Sequence, residues 1–138
     1  MASGQTHADN VLNQFRGTTN QYTSVYISLH TGDPAATGAN EMTWSKYARQ
    51  RVESARWGAP TGTAGSNRRT QCVSTLTFST VGTTTEGQKA IYLGVWNHLT
   101  QTSATTNFLA GGALNTSVTL NSNVVPSFVA NACDIEQD

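Results

Sequence analysis

From Tyr22 to His30 the chain alternates Val25, Ile27 and Leu29 with Tyr22, Ser24, Tyr26 and Ser28, the period of two that turns one face of a β-strand inward and leaves the other polar. The exit from Tyr47 reads the same way. Tyr47, Arg49, Arg51 and Glu53 fall on one side, Ala48, Gln50 and Val52 on the other, so the charged side is expected to be solvated or to meet a partner. Cys72, Leu76 and Phe78 alternate with Val73, Thr75 and Thr77, which predicts a strand over 72–80. Over 89–97, Ile91, Leu93 and Val95 oppose Tyr92, Gly94 and Trp96. Both sides are apolar, as in a central strand, and Gly94 marks a bulge or the close approach of another segment. Residues 107–110 begin a strand that Gly111 and Gly112 bend or bulge, and a short strand follows at 117–120. The tail 124–135 supplies one or two more, with Pro126 confining its segment to an edge or a break.

The connections are equally marked. After His30, Gly32 is expected to take a positive φ, Asp33 to bond its own downstream backbone, and Pro34 to preset a turn. Residues 57–71, dense in Gly, Pro, Thr, Ala and Ser, read as an exposed loop with Arg68 and Arg69 at its far end. At the other end of the chain, Thr6-His7-Ala8-Asp9 resembles a capping box. It precedes an apolar stripe of Val11, Leu12 and Phe15, with Arg16 and Gly17 closing a helix of about ten residues. Such a helix is marginal alone, so it must dock on its own domain or on a neighbouring subunit. The division expected is a helical arm, 1–21, and a β-domain, 22–138. The fold expected is all-β: an antiparallel β-sandwich or a jelly roll, of about eight strands, with a short N-terminal helix.

Composition sharpens this picture without naming a partner. The 138 residues suit one domain with a proper core. Lys plus Arg and Asp plus Glu are 8 each, only 12% of residues are charged, and the pI is about 6.8. No global field favours nucleic acid or an anionic membrane. No apolar run approaches the roughly 20 residues of a spanning helix, and Met1 to Thr6 lacks a basic segment followed by an apolar one. The cytosol is therefore the expected place of synthesis. Cys72 and Cys133, far apart in strand-like segments, are expected as buried reduced thiols rather than a disulfide.

Candidate chemistry is sparse. His7, His30 and His98 make no His-Glu-x-x-His pattern, and neither a Gly-x-Ser-x-Gly elbow nor a phosphate-cradling loop occurs. His30 beside Asp33 suits a strand end running into a turn better than a polarised imidazole. The chain is expected to be no enzyme, with no cofactor and no metal. Tyr22, Tyr26, Trp44, Tyr47 and Trp57 gather around the opening region, as the rim of a core or as platforms for sugars.

Leu29-His-Thr-Gly-Asp-Pro34, Gly38-Ala-Asn-Glu41, Tyr47-Ala-Arg-Gln50, Ile91-Tyr-Leu-Gly-Val-Trp96, Phe108-Leu-Ala-Gly-Gly-Ala-Leu114 and Ser117-Val-Thr-Leu120 follow one another in an order and spacing that resembles a family of small tailed-bacteriophage virion proteins. The resemblance runs from about Tyr22 onward. Members are tail-fibre-like, or serve as capsid cement or decoration proteins with a jelly-roll fold, so it implies a structural role in the virion. The expected function is a cement protein on the capsid exterior. It would bind the major capsid protein lattice non-covalently and associate with itself as a homodimer, with no nucleic-acid or membrane partner. The alternative is a tail-fibre module that contacts a receptor glycan through Trp44 and Trp57. Candidate partner-binding residues are Val11, Leu12, Phe15, Arg49, Arg51, Arg68 and Arg69, together with sheet edges open to strand addition.

Overall fold

The strand Ser24–His30 has a neighbour on each side, and the rest of the domain is laid around it. The computed structural model describes residues 2–3, Leu12, Phe15, and residues 24–63, 68–82, 87–100 and 105–137. In chain order the strands are β1 (Ala2–Ser3), β2 (Ser24–His30), β3 (Gln50–Glu53), β4 (Arg68–Gln71), β5 (Leu76–Thr77), β6 (Gln88–Trp96), β7 (Phe108–Leu120), β8 (Ser127–Phe128) and β9 (Asp134–Gln137). Five form a sheet in the order β1-β7-β6-β2-β3, while β4 pairs β9 and β5 pairs β8. Every pairing is antiparallel. The described residues also include single 3-10 turns at Ser54–Arg56 and Thr105–Asn107.

Towards the C-terminal end of β6 the sheet is covered on both faces, so that Gly94, Val95 and Trp96 are all buried, whereas Ile91 nearer its start is exposed. On one face Ile27, Leu29, Val52, Ala90, Val95, Leu109, Ala110 and Leu120 join Trp44, Leu76, Phe78, Phe128, Cys72 and Cys133 in one continuous core. Ile27 and Leu29 are fully buried there, and each such side chain contributes roughly 1.5–3 kcal/mol. Phe78 ties the two layers together, stacking parallel to Tyr47 and meeting Phe128 edge-on. The other face of β2 carries Ser28 and His30, and these are buried as well. The half-buried strand expected at 22–30 is therefore buried on both faces at its C-terminal end.

The all-β, antiparallel character expected from the alternation is observed, and the cysteines are buried and reduced. Several elements differ from expectation. Nine strands form among the described residues, in sheets of five, two and two, an order that does not by itself amount to a jelly roll. The exit strand begins only at Gln50, because a turn in which the Tyr47 amide donates to the Trp44 carbonyl (2.8 Å) holds 47–49 off the ladder. Residues 57–71 are not one open loop: Trp57 bridges Cys72, Thr61 bridges Arg69, and Arg68–Gln71 is β4. Backbone pairing there overrides a turn-rich composition. The segments at 107–112 and 117–120 are one strand, β7, which absorbs the extra residues as register shifts against β6 near Ala90 and Val95. Ala2 and Ser3 pair with Gly111 and Ala110, adding an edge strand that the sequence pattern does not announce. Of the predicted helix only Leu12 and Phe15 are described; the remainder, including Val11, lies outside the described residues.

Candidate functional site

His30, Pro34 and Gly38, from the motifs that run from Leu29 to Glu41, lie over the second face of the sheet. Residues directly opposite in an antiparallel sheet share a face, so Ser28, Gly94 and Gly111 form one row across β2, β6 and β7. Two glycines in that row leave a trough. A Cβ at Gly94 would overlap the His30 ring and come within 2.5 Å of Ser28 Oγ, and one at Gly111 would overlap Pro34 and come within 3.0 Å of Phe108. The trough is filled by His30 and by Pro34, brought back over the sheet by the loop 31–41. The close approach expected at Gly94 is therefore observed, and the approaching group is the His30 imidazole.

The loop is held by its own polar groups. Asp33 Oδ1 accepts from the Ala35 amide (2.8 Å), as expected of an Asx turn, and Asn40 Nδ2 donates to the Asp33 carbonyl (2.9 Å). The amides of Gly38 and Ala39 both donate to the Pro34 carbonyl. The left-handed positions are Ala35, Gly38 and Asn40, not Gly32, because the chain reverses at the far end of the loop rather than at its entry.

Under this loop runs a chain of hydrogen bonds with one direction. His30 Nδ1 lies 2.7 Å from the Ala39 carbonyl, an acceptor only, so Nδ1 carries the proton and Nε2 accepts. Ser28 Oγ, 2.7 Å from Nε2, therefore donates to it and itself accepts from Trp96 Nε1 at 2.8 Å. Every polar atom of the three side chains is satisfied with His30 neutral. Burial lowers the His30 pKa below its ordinary 6.5, and the nearby Arg49 acts in the same direction, while the Ala39 carbonyl and Glu41 oppose them.

Beside this chain lies a buried ion pair. Arg49 is 2% exposed. Its Nη2 and Nε donate to the two oxygens of Glu41 at 2.7 and 2.9 Å, and its Nη1 donates to the His98 carbonyl at 2.9 Å. The guanidinium lies 3.5 Å from the centre of the Trp96 ring, a cation–π contact strengthened by the absence of water. Tyr47 completes the cluster: its hydroxyl donates to Glu41 (3.0 Å) and accepts from the Leu29 amide (3.1 Å). Burial pushes that hydroxyl's pKa far up, and the Glu41 carboxylate pushes it the same way.

This arrangement corrects the expectation that Arg49 stands on a solvated face: its side chain is buried in the ion pair. It stands outside the regular strand, so the alternation that would turn it outward does not apply. Both His30 nitrogens are committed inside the protein, which leaves the ring no reach toward a substrate. Among the described residues no group of three or more His, Cys, Asp or Glu stands where it would hold a metal ion.

The other candidates are scattered. Arg51 is exposed on β3, bonded to Ser24 Oγ (2.9 Å) and 3.5 Å from Glu53. As an edge strand β3 is four residues long and presents Arg51 and Glu53 to solvent, features that discourage strand addition. Arg68 and Arg69 lie on β4, whose backbone is paired to β9. Leu12 and Phe15 are 61% and 86% exposed. Trp44 is buried and donates to Ser79 Oγ (3.1 Å), so it offers no sugar platform; Trp57 is half-buried. Ser28, Gly38, Glu41 and Trp96 went unrecognised as one site in the sequence. The signals were Glu41 and Arg49, opposite charges flanking a turn in a chain with few charges, and a histidine on a strand beside a serine two residues away.

Residues 2–136 match the family described as podophage GP4 fiber I protein gp80. The chain belongs to this family. The match starts at residue 2, so the N-terminal segment is part of what the family shares, whereas the motif resemblance begins near Tyr22. No curated protein matches the chain. Membership makes it a bacteriophage structural protein and a component of the virion. Among the described residues no helix is long and apolar enough to cross a membrane.

Proposed function

We propose that the protein is a building block of the podophage tail fibre, a structural module and not a catalyst. The observation that carries this reading is the family match over residues 2–136, whose description is of a fibre protein. The fold is consistent with it. A sheet covered on both faces around Gly94 and Trp96, with a buried ion pair locked between a loop and a tryptophan, makes a rigid unit suited to repeated use in an appendage. The capsid-cement role, with the major capsid protein as partner on the capsid exterior, has no such support, and the fibre assignment takes precedence over it.

In this reading the partners are neighbouring fibre subunits, further copies of this chain among them, and a surface molecule of the host. The exposed apolar residues Leu12, Phe15, Val124, Val125 and Val129 are the points at which subunits would meet, while Arg49 is excluded. Gold-labelled antibodies against the protein, applied to intact virions, test the assignment. Label on the tail is expected, together with slower adsorption when the purified protein competes for host cells. Label distributed over the capsid shell would overturn it and restore the cement role.

A further inference from the structure

Cys72 and Cys133 are 61 residues apart in sequence, yet the ribbon of β4 and β9 brings them face to face. The register runs Arg68↔Gln137, Arg69↔Glu136, Thr70↔Ile135, Gln71↔Asp134, and its next step is Cys72 against Cys133. The pairing does continue there: the Cys72 amide donates to the Cys133 carbonyl at 2.9 Å. That is half of the exchange made by a hydrogen-bonded antiparallel pair, whose Cα atoms stand about 5.5 Å apart with both side chains on one face. This spacing falls at the commonest Cα separation of disulfides. The ladder then ends, the Cys72 carbonyl accepting from the Asn131 amide at 2.7 Å. Both side chains are buried in the same hydrophobic core, at 1% and 3% exposure, and neither is in a disulfide.

We propose that Cys72 and Cys133 are a disulfide site, reduced in the cell that makes the protein and closed by oxidation afterwards. The oxidant is a small disulfide such as oxidised glutathione. One cysteine thiolate attacks the oxidant's S–S bond and expels one glutathione thiolate, leaving a mixed disulfide. The second cysteine thiolate attacks the protein sulfur of that bond and expels the other. The two cysteines lose two protons and two electrons in all, and the oxidant becomes two molecules of reduced glutathione. Cys72 must give up the weak bond from its Sγ to the Ser74 carbonyl, 3.3 Å away, and turn toward Cys133. Because both thiols are buried, the first step waits on local opening of the ribbon, so closure is slow in the folded protein. Once formed, the bond ties the β4–β9 ribbon to itself and shortens the unfolded chain's freedom across the segment that contains β5 to β8.

The test is to incubate the purified protein with oxidised glutathione, with and without a mildly denaturing concentration of urea, and to compare it with protein kept in reductant. The expected result has three parts. Intact mass falls by two hydrogen atoms, peptide mapping without reduction yields one peptide pair joining Cys72 to Cys133, and the midpoint of thermal unfolding rises by several degrees and returns on reduction. Cys72→Ala and Cys133→Ala should each abolish the mass change. The proposal is overturned if oxidation stops at glutathione adducts on the single thiols, or produces only crosslinks between molecules. It is equally overturned if both thiols remain free after opening in urea.

Discussion

The indole of Trp96 occupies the space that a side chain at position 38 would need. Gly38 has φ of +76° and packs against the ring, so that a Cβ built on it would overlap Trp96 and lie 2.9 Å from Phe108. The loop 31–41 can lie on the sheet only because that residue is glycine. Gly38→Ala is therefore expected to destabilise the protein by about 2–5 kcal/mol, the sum of a left-handed conformation and overpacking against an aromatic ring. Gly87→Ala is the control. Gly87 has φ of +79° but nothing within 4 Å of its would-be Cβ, so it should cost only about 1–2 kcal/mol, the conformational part. Urea unfolding of the two variants beside the wild type separates the contributions.

Gly94→Ala tests the trough from the opposite side. Its methyl group would collide with the His30 ring and Ser28 Oγ, both fully buried, and would break the bond between them. A loss of about 2–4 kcal/mol is expected, overpacking together with buried polar groups left unpaired. Gly32→Ala, which would meet only the exposed Asn40 side chain, at 3.2 Å from the Nδ2 that bonds the Asp33 carbonyl, should cost less, about 1 kcal/mol. Thermal unfolding of both variants checks the ranking.

Stability should depend on pH through His30. Its folded pKa is lowered from 6.5, so above that value both folded and unfolded states are neutral and the full stability is present. As pH falls below 6.5 the unfolded chain binds a proton that the folded protein refuses, and stability declines until the folded pKa is reached. Protonation in place would also leave Ser28 facing two donors, Trp96 Nε1 and His30 Nε2, with its own hydrogen unplaced. Chemical unfolding between pH 5 and 8 should show this slope, and His30→Gln should flatten it. A slope unchanged in that variant would assign it to other groups.

The pair Arg49–Glu41 is expected to behave as a buried ion pair does. Removing one partner, by Glu41→Gln or Arg49→Met, should cost about 3–5 kcal/mol because a charge is left buried and uncompensated. The double variant should recover part of the loss, and a double-mutant cycle by urea unfolding measures how much. Arg51→Ala, two residues from Arg49 but with its side chain 56% exposed, should change stability by less than about 0.5 kcal/mol.

What the sequence by itself determined is the set of local alternations. Val25, Ile27 and Leu29 mark β2, the doubly apolar run around Leu93 marks β6 as central, and Asp33 and Pro34 mark a built turn. Each follows from neighbours in the chain, through strand period or backbone chemistry. The all-β class and the virion family were legible for the same reason, since both rest on contiguous stretches. The tertiary structure alone decided where the charges and close contacts lie. Arg49 reads as exposed because it alternates with Ala48 and Gln50, but strand pairing begins one residue later, and Glu41, Trp96 and the His98 carbonyl meet it only when the loop folds over the sheet. Gly38, Gly94 and Gly111 are ordinary glycines in sequence; what they make room for comes from positions up to 77 residues away, as with Pro34 against Gly111. Cys72 and Cys133 likewise stand opposite each other only through the pairing of β4 with β9. Alternation reports which face a residue takes within its own strand, and it carries no information about which distant segment will cover that face.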